Sequence, residues 1–392
     1  MLRQIIFKDF VTLQRGFDLP TVQRVDGPYP VVASTTIHGY HTEYKVNPPG
    51  VTTGRSGALG EILYLQQPFW PLNTTLWVKD FKENFPRYVY YFLIAMHLER
   101  WDAGTGVPTL NRNHLDNVEI AVHDPNDQRK IAAILSAYDN LIENNTHRIK
   151  ILEEMAQMIY REWFVNFRFP GHEKARMVES ELRLIPDGWE VGTLNELVRI
   201  VSGFAFSSKE YVVNGKYAIV TIKNIQDGVF MSDCNSRVDS VPPSMPEHCR
   251  LHTGDILLSL TGNVGRTCLF YGEQHLLNQR VAKILPREGI GKSFVYFTFR
   301  QDSLRRRLEM ISTGVAQQNL SPINLGNLEL ILPPKHLLTD FCRTFDVFVE
   351  HILLLLIHTA NLRQTRDLLL PRLISGEIDV ENLDIDTGET QA

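Results

Sequence analysis

Two long stretches of the chain carry apolar residues at alternating steps of three and four, the pattern of a helix with one narrow buried stripe. We call each stripe a seam. The first seam consists of Ile131, Leu135, Tyr138, Ile142, Asn145, Ile149, Leu152, Ala156, Ile159 and Trp163. The second consists of Leu338, Phe341, Phe345, Phe348, Ile352, Leu355, Thr359, Leu362 and Leu369, with Arg366 as a mismatch. The two seams predict long helices over 124–170 and 334–376.

Boundary residues stand at the ends of both predicted helices. Asp124 and Pro125 suit the N-cap and the first turn of the first helix, and the segment 169–171 (Phe-Pro-Gly) ends it. A pair of prolines precedes the second helix, and Pro371 and Gly376 close it. At ~1.5 Å per residue the first helix is about 55–60 Å long.

Neither predicted helix can bury its seam alone, so each needs a partner of similar length. We therefore predict that the two helices pair as an antiparallel coiled coil within the chain. The alternative is that each helix packs on its own globular domain. The polar seam members Asn145 and Thr359 are predicted to fix the register of the pair, as buried polar residues at such positions can.

Outside the helices the pattern changes to short apolar or alternating runs between turn residues, which predicts strands, and these runs recur. The segment "GTGVPTLNRNHLDNVEIAVHDP" (104–125) resembles "STGVAQQNLSPINLGNLELILPP" (312–334), a match that aligns Asn111 with Asn319. In the same order, "QRGFDLP" matches "VSGFAFSS", "YPVVAST" matches "YAIVTIK", "LNTTLWV" matches "LNQRVAKI" and "YVYYFL" matches "FVYFTF". This repeat predicts two homologous, strand-rich α+β domains, at 1–123 and 171–333.

Composition places the chain among soluble globular proteins. Its 392 residues suggest two or three domains, and 43% of them are hydrophobic and 22% charged. The N-terminus does not resemble a signal peptide, and the longest apolar run, 352–357, is far shorter than the roughly 20 residues of a membrane span. The four cysteines form no C-x-x-C pair, which indicates reduced thiols and no zinc site. We expect a cytoplasmic protein.

Charge neither excludes nor demonstrates nucleic-acid binding. The net charge is −5, but residues 377–392 carry six acids and no Lys or Arg, so the rest of the chain is near +1. We treat 377–392 as an acidic tail. Basic clusters such as 305–307 are available for phosphate contacts, although a solvated helix face explains that run equally well.

Three segments resemble parts of enzyme motifs, and each lacks a required residue or setting. "NPPG" (47–50) has Gly50 where an amino-methyltransferase needs an aromatic residue to stack on a flipped base. "DAGTG" (102–106) follows a helix-like stretch and not a buried strand, and "PDGWE" (186–190) lacks the lysine of a nuclease site. We find no Walker motif and no helical His pair with an acid between. The sequence predicts no catalytic centre and no metal site.

Three other segments resemble the DNA-specificity subunit of type I restriction–modification systems. "REWFVNFRFPGHE" (161–173) resembles the end of that family's central helical region, and "LIPDGWEVGTLNELV" (184–198) the start of its second target-recognition domain. "LRQTRDLLLPRLISGEIDV" (362–380) resembles the end of its distal helical region. The resemblance spans nearly the whole chain in the right order.

The resemblance implies a non-catalytic subunit with pseudo-two-fold symmetry. Each domain would read one half of a split DNA target, and the helices would set the spacer and dock two methyltransferase subunits. Those partners would bind S-adenosylmethionine and methylate adenine at N6, and ATP and Mg²⁺ would belong to a restriction subunit, so we expect no cofactor on this chain. The length of the predicted helix pair, and not the resemblance, indicates half-sites about one duplex turn, ~34–36 Å, apart. The alternatives are a coiled-coil DNA-binding scaffold or regulator without such partners, and a self-contained methyltransferase or nuclease with degenerate motifs.

Polar side chains in the turns of the two domains are candidates for DNA contacts, because such side chains read base edges or bind phosphate. In the first domain they are Lys45, Arg55, Ser56, Thr105, Thr109, Asn111 and Arg112. In the second they are Lys223, Asn224, Asn263, Arg266, Gln279, Arg280, Gln317, Gln318 and Asn319. The Thr-Gly turns among them can equally be structural.

Overall fold

The computed structural model describes residues 2–104, 106–312 and 319–388. In the first half of the chain the strands are β1 (Arg3–Ile6), β2 (Thr12–Arg15), β3 (Tyr29–Ala33), β4 (Thr36–His41), β5 (Gly50–Gly54), β6 (Ile62–Leu65), β7 (Trp70–Pro71), β8 (Thr75–Asp80) and β9 (Glu119–Val122). The helices are α1 (Phe7–Phe10), α2 (Pro86–Ala95), α3 (Arg112–Leu115) and the long α4 (Pro125–Tyr160).

The second half repeats this alternation. Its strands are β10 (Met177–Val178), β11 (Ile185–Pro186), β12 (Glu190–Thr193), β13 (Val198–Ser202), β14 (Tyr217–Val220), β15 (Arg237–Val238), β16 (Ile256–Ser259), β17 (Thr267–Leu269), β18 (His275–Leu277), β19 (Val281–Pro286) and β20 (Glu329–Leu332). Its helices are α5 (Leu194–Leu197), α6 (Lys292–Phe299), α7 (Asp302–Ile311), α8 (Pro322–Gly326) and the long α9 (Lys335–Ile374).

The two halves share one sheet topology. A four-stranded sheet has the order β2-β8-β5-β6 in the first domain and β13-β19-β16-β17 in the second. A three-stranded sheet has the order β4-β3-β7 or β15-β14-β18, and in both its middle strand has one antiparallel and one parallel neighbour. A strand near the start of each domain pairs with the strand before the long helix, as β1-β9 and β12-β20, and the second domain has an additional strand pair, β10-β11. The predicted duplication and the α+β fold class are confirmed.

A close backbone approach is repeated at the same place in both domains. A Cβ atom added to Gly16 would lie 2.3 Å from the Leu72 carbonyl oxygen, and one added to Gly203 would lie 2.3 Å from that of Asn278. Only glycine fits where two strands come this close. The Gly-Phe dipeptides that the sequence repeat aligned are therefore equivalent structural positions.

The sequence alignment of the Thr-Gly-Val copies is wrong by two residues. Thr109 forms an isolated bridge with Ser56, and its equivalent in the second domain is the bridge between Asn319 and Thr261. Thr109 thus corresponds to Asn319, whereas the sequence match had aligned Asn111 with it. Backbone pairing decides the register, and shared letters across turns of different length do not.

Both long helices form, with ends that differ from the prediction. The first ends as an α-helix at Tyr160 and continues as a single π-helical turn, Arg161–Val165, so the predicted extension to 170 is wrong. The second begins at Lys335 and retains Pro371 inside its last turn. The chain divides into two compact units, Met1–Ile142 with Leu362–Ala392 and Glu143–Asn361. Each long helix contributes to both units.

In the first unit, α4 and α9 pair in opposite directions. The His123 ring Nε2, just before α4, contacts the Leu373 carbonyl oxygen near the end of α9 at 2.9 Å. Further along α4, the Asp139 carboxylate accepts from Arg366 Nη1 at 2.7 Å. The mismatch in the second seam is therefore one half of an ion pair between the helices, which also keeps the Arg366 charge compensated where it is half-buried.

In the second unit, an aromatic cluster joins the end of α4 to the start of α9. The ring centroid of Phe341 lies 5.9 Å from those of Tyr160 and Trp163 and 5.1 Å from that of Phe164. End-to-start contact means that the helices are antiparallel here too. The predicted seam residues are all buried or half-buried, including Asn145 and Thr359, whose part in fixing the register stays a prediction.

The hydrophobic cores are separate. One core in the first unit joins one face of its four-stranded sheet to α2, α4 and the end of α9, while Leu65 and Trp77 of the other face pack in a separate cluster. The second unit has a core around α6 and the long helices and another beneath β14 and β18. Residues 377–388 are not simply a tail, because Val380 is buried in the first core and Lys130 Nζ donates to the Glu381 carbonyl oxygen at 2.7 Å.

The apolar character of α9 exceeds what its seam requires. An 18-residue window of this helix has a mean hydropathy of 1.5, and 33% of the window is buried within the protein. By length and composition it could cross a membrane, which is weak evidence for a single helix. Its buried stripe packs on α4, and other apolar residues of α9 face outward.

Candidate nucleic-acid interface

In the second domain, four loops bring most of the predicted contact residues to one edge of the sheets. A cavity of about 370 Å³ is lined by the turn after β14, which carries Lys223, and by the turn before β19, which carries Gln279 and Arg280. The Leu260 amide, at the start of the loop between β16 and β17, donates to the Arg280 carbonyl oxygen at 3.0 Å. The bridge from Thr261 adds Asn319 to the same edge.

Asn224 lies beside this cavity but is committed to the fold. It is 3% exposed, and its Oδ1 accepts from the Thr221 backbone amide at 2.9 Å, which closes a capping box. Its Nδ2 donates to the carbonyl oxygens of Met231 and Asp233 at 2.9 Å. The prediction of Asn224 as a base-reading residue is therefore wrong, since its hydrogen-bonding groups are already used.

The loop between β16 and β17 presents Arg266 in a defined position. The Arg266 guanidinium donates to Gln226 Oε1, and an Asn263 amide oriented with its oxygen inward accepts from it at 2.9 Å. An adjoining polar cavity of about 500 Å³ is lined by Asn263 and Arg266 and by Arg305 and Arg306 of α7. A guanidinium carries five N–H donors, so these contacts leave donors that can bind phosphate or a guanine edge.

In the first domain, a smaller set of predicted residues comes together. Ser56 is bridged to Thr109, and the Arg55 backbone amide donates to the Thr74 carbonyl oxygen at 2.8 Å. This matches the bond from Leu260 to Arg280, so Thr74 is the counterpart of Arg280. The residues just before them, which match in the same way, are Asn73 and Gln279.

The sequence analysis therefore missed Asn73 and Thr74 as edge residues. The repeat had aligned "LNTT" with "LNQR" letter for letter, and strand pairing shifts this alignment by one residue. Ser34 joins the same edge, because its Oγ donates to the Ser56 carbonyl oxygen at 2.7 Å. A one-residue shift is enough to exchange the faces of a strand, and only a hydrogen-bond register reveals it.

Other first-domain candidates have structural partners. The Asn111 side chain caps α3 by accepting from the Asn113 amide at 3.1 Å, and Arg112 Nη1 donates to the Leu13 carbonyl oxygen at 3.1 Å. Lys45 is exposed, with its ammonium over the Trp70 ring, 4.7 Å from the centroid. The remaining predicted residues, Thr105, Gln317 and Gln318, lie outside the described residues.

The acidic residue of "DAGTG" organises the turn that leads to Thr109. Asp102 Oδ1 accepts from the backbone amides of Gly104 and Thr109, at 2.8 Å each. These two hydrogen bonds hold the pKa of the Asp102 carboxyl below its usual value. The segment is thus a loop closed by its own carboxylate. In the ranges 2–104, 106–312 and 319–388, no group of three or more His, Cys, Asp or Glu side chains could hold a metal ion.

Comparison with known proteins identifies the family. The model of the type I restriction–modification DNA specificity domain matches residues 7–154 and again 186–337. The chain belongs to this family. The repeated match coincides with the two domains of equal topology.

Individual relatives agree with this assignment. The specificity subunit of the type I restriction enzyme MjaIX of Methanocaldococcus jannaschii is 27% identical over 317 residues, covering 76% of this chain and 70% of the relative. The HindI specificity subunit of Haemophilus influenzae is 23% identical over 330 residues, covering 69% and 71%. The crystal structure of the type I restriction–modification S subunit from M. genitalium superposes with a TM-score of 0.63 at 18% identity, covering 95% of this chain and 96% of that one, which supports the fold.

Family membership settles the class of function. Specificity subunits of type I systems are soluble DNA-binding proteins that assemble with modification and restriction subunits. The enzymatic activities lie in those other subunits, so the prediction of a non-catalytic specificity subunit is confirmed.

Proposed function

We propose that each domain reads one half of a bipartite DNA target through the edge described above. The proposal rests on one observation: equivalent backbone positions at this edge carry different side chains in the two domains. The matched pairs, first domain before second, are Arg55 and Leu260, Ser56 and Thr261, Asn73 and Gln279, Thr74 and Arg280, and Thr109 and Asn319. Two domains with the same backbone arrangement but different polar side chains are suited to read two different DNA half-sites.

Several positive side chains stand at the second edge, and acids lie among them, since Asp233 lines the first cavity and Asp302 and Glu309 line the second. Lys223, Arg266 and Arg280 stand among its loops, with Arg305 and Arg306 beside them on α7. Positive side chains bind phosphate and fix the protein on the duplex, whereas amides and paired guanidinium groups discriminate bases. We assign Arg266 and Gln279 to base edges and Lys223 to phosphate.

The outward faces of the long helices support the docking of modification subunits. In the second unit, α4 exposes Ile151, Met155 and Met158, at steps of four and three on one face, and α9 exposes Val347 and Leu354. None of these residues belongs to a seam. Exposed apolar stripes on helices already paired through another face are typical of a further helical partner, and methionine adapts well at such surfaces.

The same proposal extends to the first unit and to the cofactors. Leu141 of α4 and Leu368 of α9 are exposed there and offer apolar contacts to a second modification subunit. S-adenosylmethionine, ATP and Mg²⁺ belong to partner subunits in this proposal, and the complex works in the cytoplasm. The length of the paired helices sets the distance between the two half-sites and acts as a ruler in this sense.

Methylation mapping tests the proposal. The chain is co-expressed with the modification subunit encoded beside it, and N6-methyladenine is mapped across the host genome. We expect one split motif, with two short defined blocks around a fixed run of unspecified bases. A contiguous motif contradicts the two-reader proposal. Absence of methylation, together with failure of the two proteins to co-purify, favours the scaffold or regulator alternative.

A further inference from the structure

A buried arginine connects the long helix α4 to a loop at the reading edge of the second domain. By reading edge we mean the edge of the sheets that carries Lys223, Arg266, Gln279 and Arg280. Arg300, directly after α6, is 10% exposed, and its Nη2 lies 3.1 Å from Glu153 Oε2 of α4. Its Nη1 forms an ion pair with Asp227, in the loop that follows Lys223 and Asn224. The other Glu153 oxygen accepts a hydrogen bond from the Tyr296 hydroxyl. The guanidinium therefore spans two carboxylates on different elements.

Gly228 permits this connection. A Cβ atom at Gly228 would lie 2.8 Å from Arg300 Nη2 and 3.3 Å from Glu153 Oε2, and the residue has φ +79°. Any side chain here would meet the ion pair and strain the backbone. The Gly228 amide also donates to the Thr267 carbonyl oxygen at 2.8 Å, which ties the loop to the residue after Arg266.

The neighbouring residue of the same loop reaches the reading edge. Gln226, which directly precedes Asp227, accepts from the Arg266 guanidinium, and the Asn263 amide oxygen accepts from the same guanidinium. Asp227 is additionally bound by Arg305 Nη1 at 2.9 Å. A continuous series of polar contacts thus runs from α4 through Arg300 and the Gln226–Asp227 segment to Arg266.

We propose that Arg300 is a positioning residue for DNA reading by the second domain. It is too deeply buried to touch DNA, and it acts by fixing the Gln226–Asp227 segment, so that Gln226 aims the Arg266 guanidinium at one base pair. Arginine suits the task because its planar fork engages both carboxylates at once, which a lysine ammonium does not do with the same geometry. The sequence repeat places Ile94 of the first domain opposite Arg300.

This inference rests on the proposed function, and its test separates the two. The half-sites are first defined by methylation mapping of the wild-type complex, and absence of a split motif at that stage refutes the proposed function by itself. Binding of the complex of this chain with its modification subunit is then measured on duplexes carrying each single-base change. The variants are Arg300→Gln, Arg300→Lys, Asp227→Asn, Arg266→Gln and the double variant Arg300→Gln with Arg266→Gln.

We expect Arg300→Gln and Asp227→Asn to lower discrimination at one position of the second half-site by about ten-fold, within the range of a bidentate arginine contact. Discrimination across the first half-site stays unchanged. Arg266→Gln relaxes the same position, and the double variant relaxes it no further, because Arg300 acts through Arg266. Arg300→Lys restores only part of the discrimination.

Arg87→Gln is the matched control. Arg87 of α2 is likewise an arginine of low exposure bound to α4, 2.9 Å from Asp139, but its contacts lead to tyrosine rings and not to the edge. It should leave discrimination in the second half-site unchanged. The inference is overturned if Arg300→Gln and Asp227→Asn keep wild-type discrimination, if they weaken both half-sites as a general loss of stability would, or if the double variant is additive. Asp227 is partly exposed, so its variant keeps the test valid should Arg300→Gln fail to fold.

Discussion

Phe341→Ala removes the centre of the aromatic cluster that joins the two long helices in the second unit. The Phe341 ring is fully buried and lies within 6.4 Å of the rings of Tyr160, Trp163, Phe164, Phe294 and Phe345, with the Phe345 ring stacked at 4.5 Å. Truncation of a buried phenylalanine costs about 3–5 kcal/mol, because the lost apolar contacts are followed by a cavity that the surroundings fill only in part. Five aromatic neighbours favour the upper part of that range.

Differential scanning calorimetry of the purified chain measures this loss. At ~2–4 °C per kcal/mol for a unit of this size, the Tm of the affected transition should fall by roughly 6–20 °C. Val347→Ala is the matched control on the same helix, since Val347 is 60% exposed and outside the seam. It should change the free energy of unfolding by no more than about 0.5 kcal/mol, while weakening binding of the modification subunit. If Phe341→Ala melts with the wild-type Tm, the helix pair is not held together as described.

Three further predictions concern the cap of α4, the cysteines and the length of the helix pair. The Asp124 carboxylate accepts from the Asp127 and Asn126 amides, which lowers its pKa below the unfolded value. Its contribution is therefore present above about pH 4 and lost as the pH falls through the folded pKa. Acid titration monitored by circular dichroism should show Asp124→Ala less stable by about 0.5–2 kcal/mol at pH 7, and Asp124→Asn stable but without this pH dependence. All four cysteines are buried, and burial raises the pKa of the Cys234 thiol to about 11, so a thiol reagent at pH 8 should label them only in denaturant; rapid labelling of the native protein would contradict their burial. Insertion of one heptad into each long helix, at matched points of the seam, should lengthen the unspecified run in the methylation motif and leave both half-sites intact, whereas altered half-sites would show that ruler and readers are not separate.

The helical half of the fold follows directly from the sequence. A narrow apolar seam with three- and four-residue steps is most simply buried by pairing with a second helix of similar length. Arg366, the charged residue within the second seam, forms an ion pair with Asp139 on the facing helix. The duplication was equally visible, because strands, turns and close-packed glycines recur in the same order. The end of the first helix was not, since the π-helical turn after Tyr160 continues the apolar pattern without continuing the α-helix.

The reading edge was only partly predictable. The exposed residues Lys223, Gln279 and Arg280 were found because polar residues in turns indicate contact surfaces. Asn224 was wrongly predicted to read bases. An asparagine amide can either close a capping box, as it does here, or contact a base edge, and the sequence alone does not distinguish these roles. Asn73 and Thr74 were missed because a strand register depends on hydrogen bonds between segments far apart in the sequence, and no local pattern reports them.

An exchange of the first domain tests the central claim most directly. Residues 1–123 are replaced by the first domain of another specificity subunit of known motif, and N6-methyladenine is mapped in cells that express the chimera with its modification subunit. If each domain reads alone, one half-site changes to that of the donor, and the other half-site and the spacer stay as they were. A change in both half-sites would contradict the account of two independent readers on a shared helical ruler.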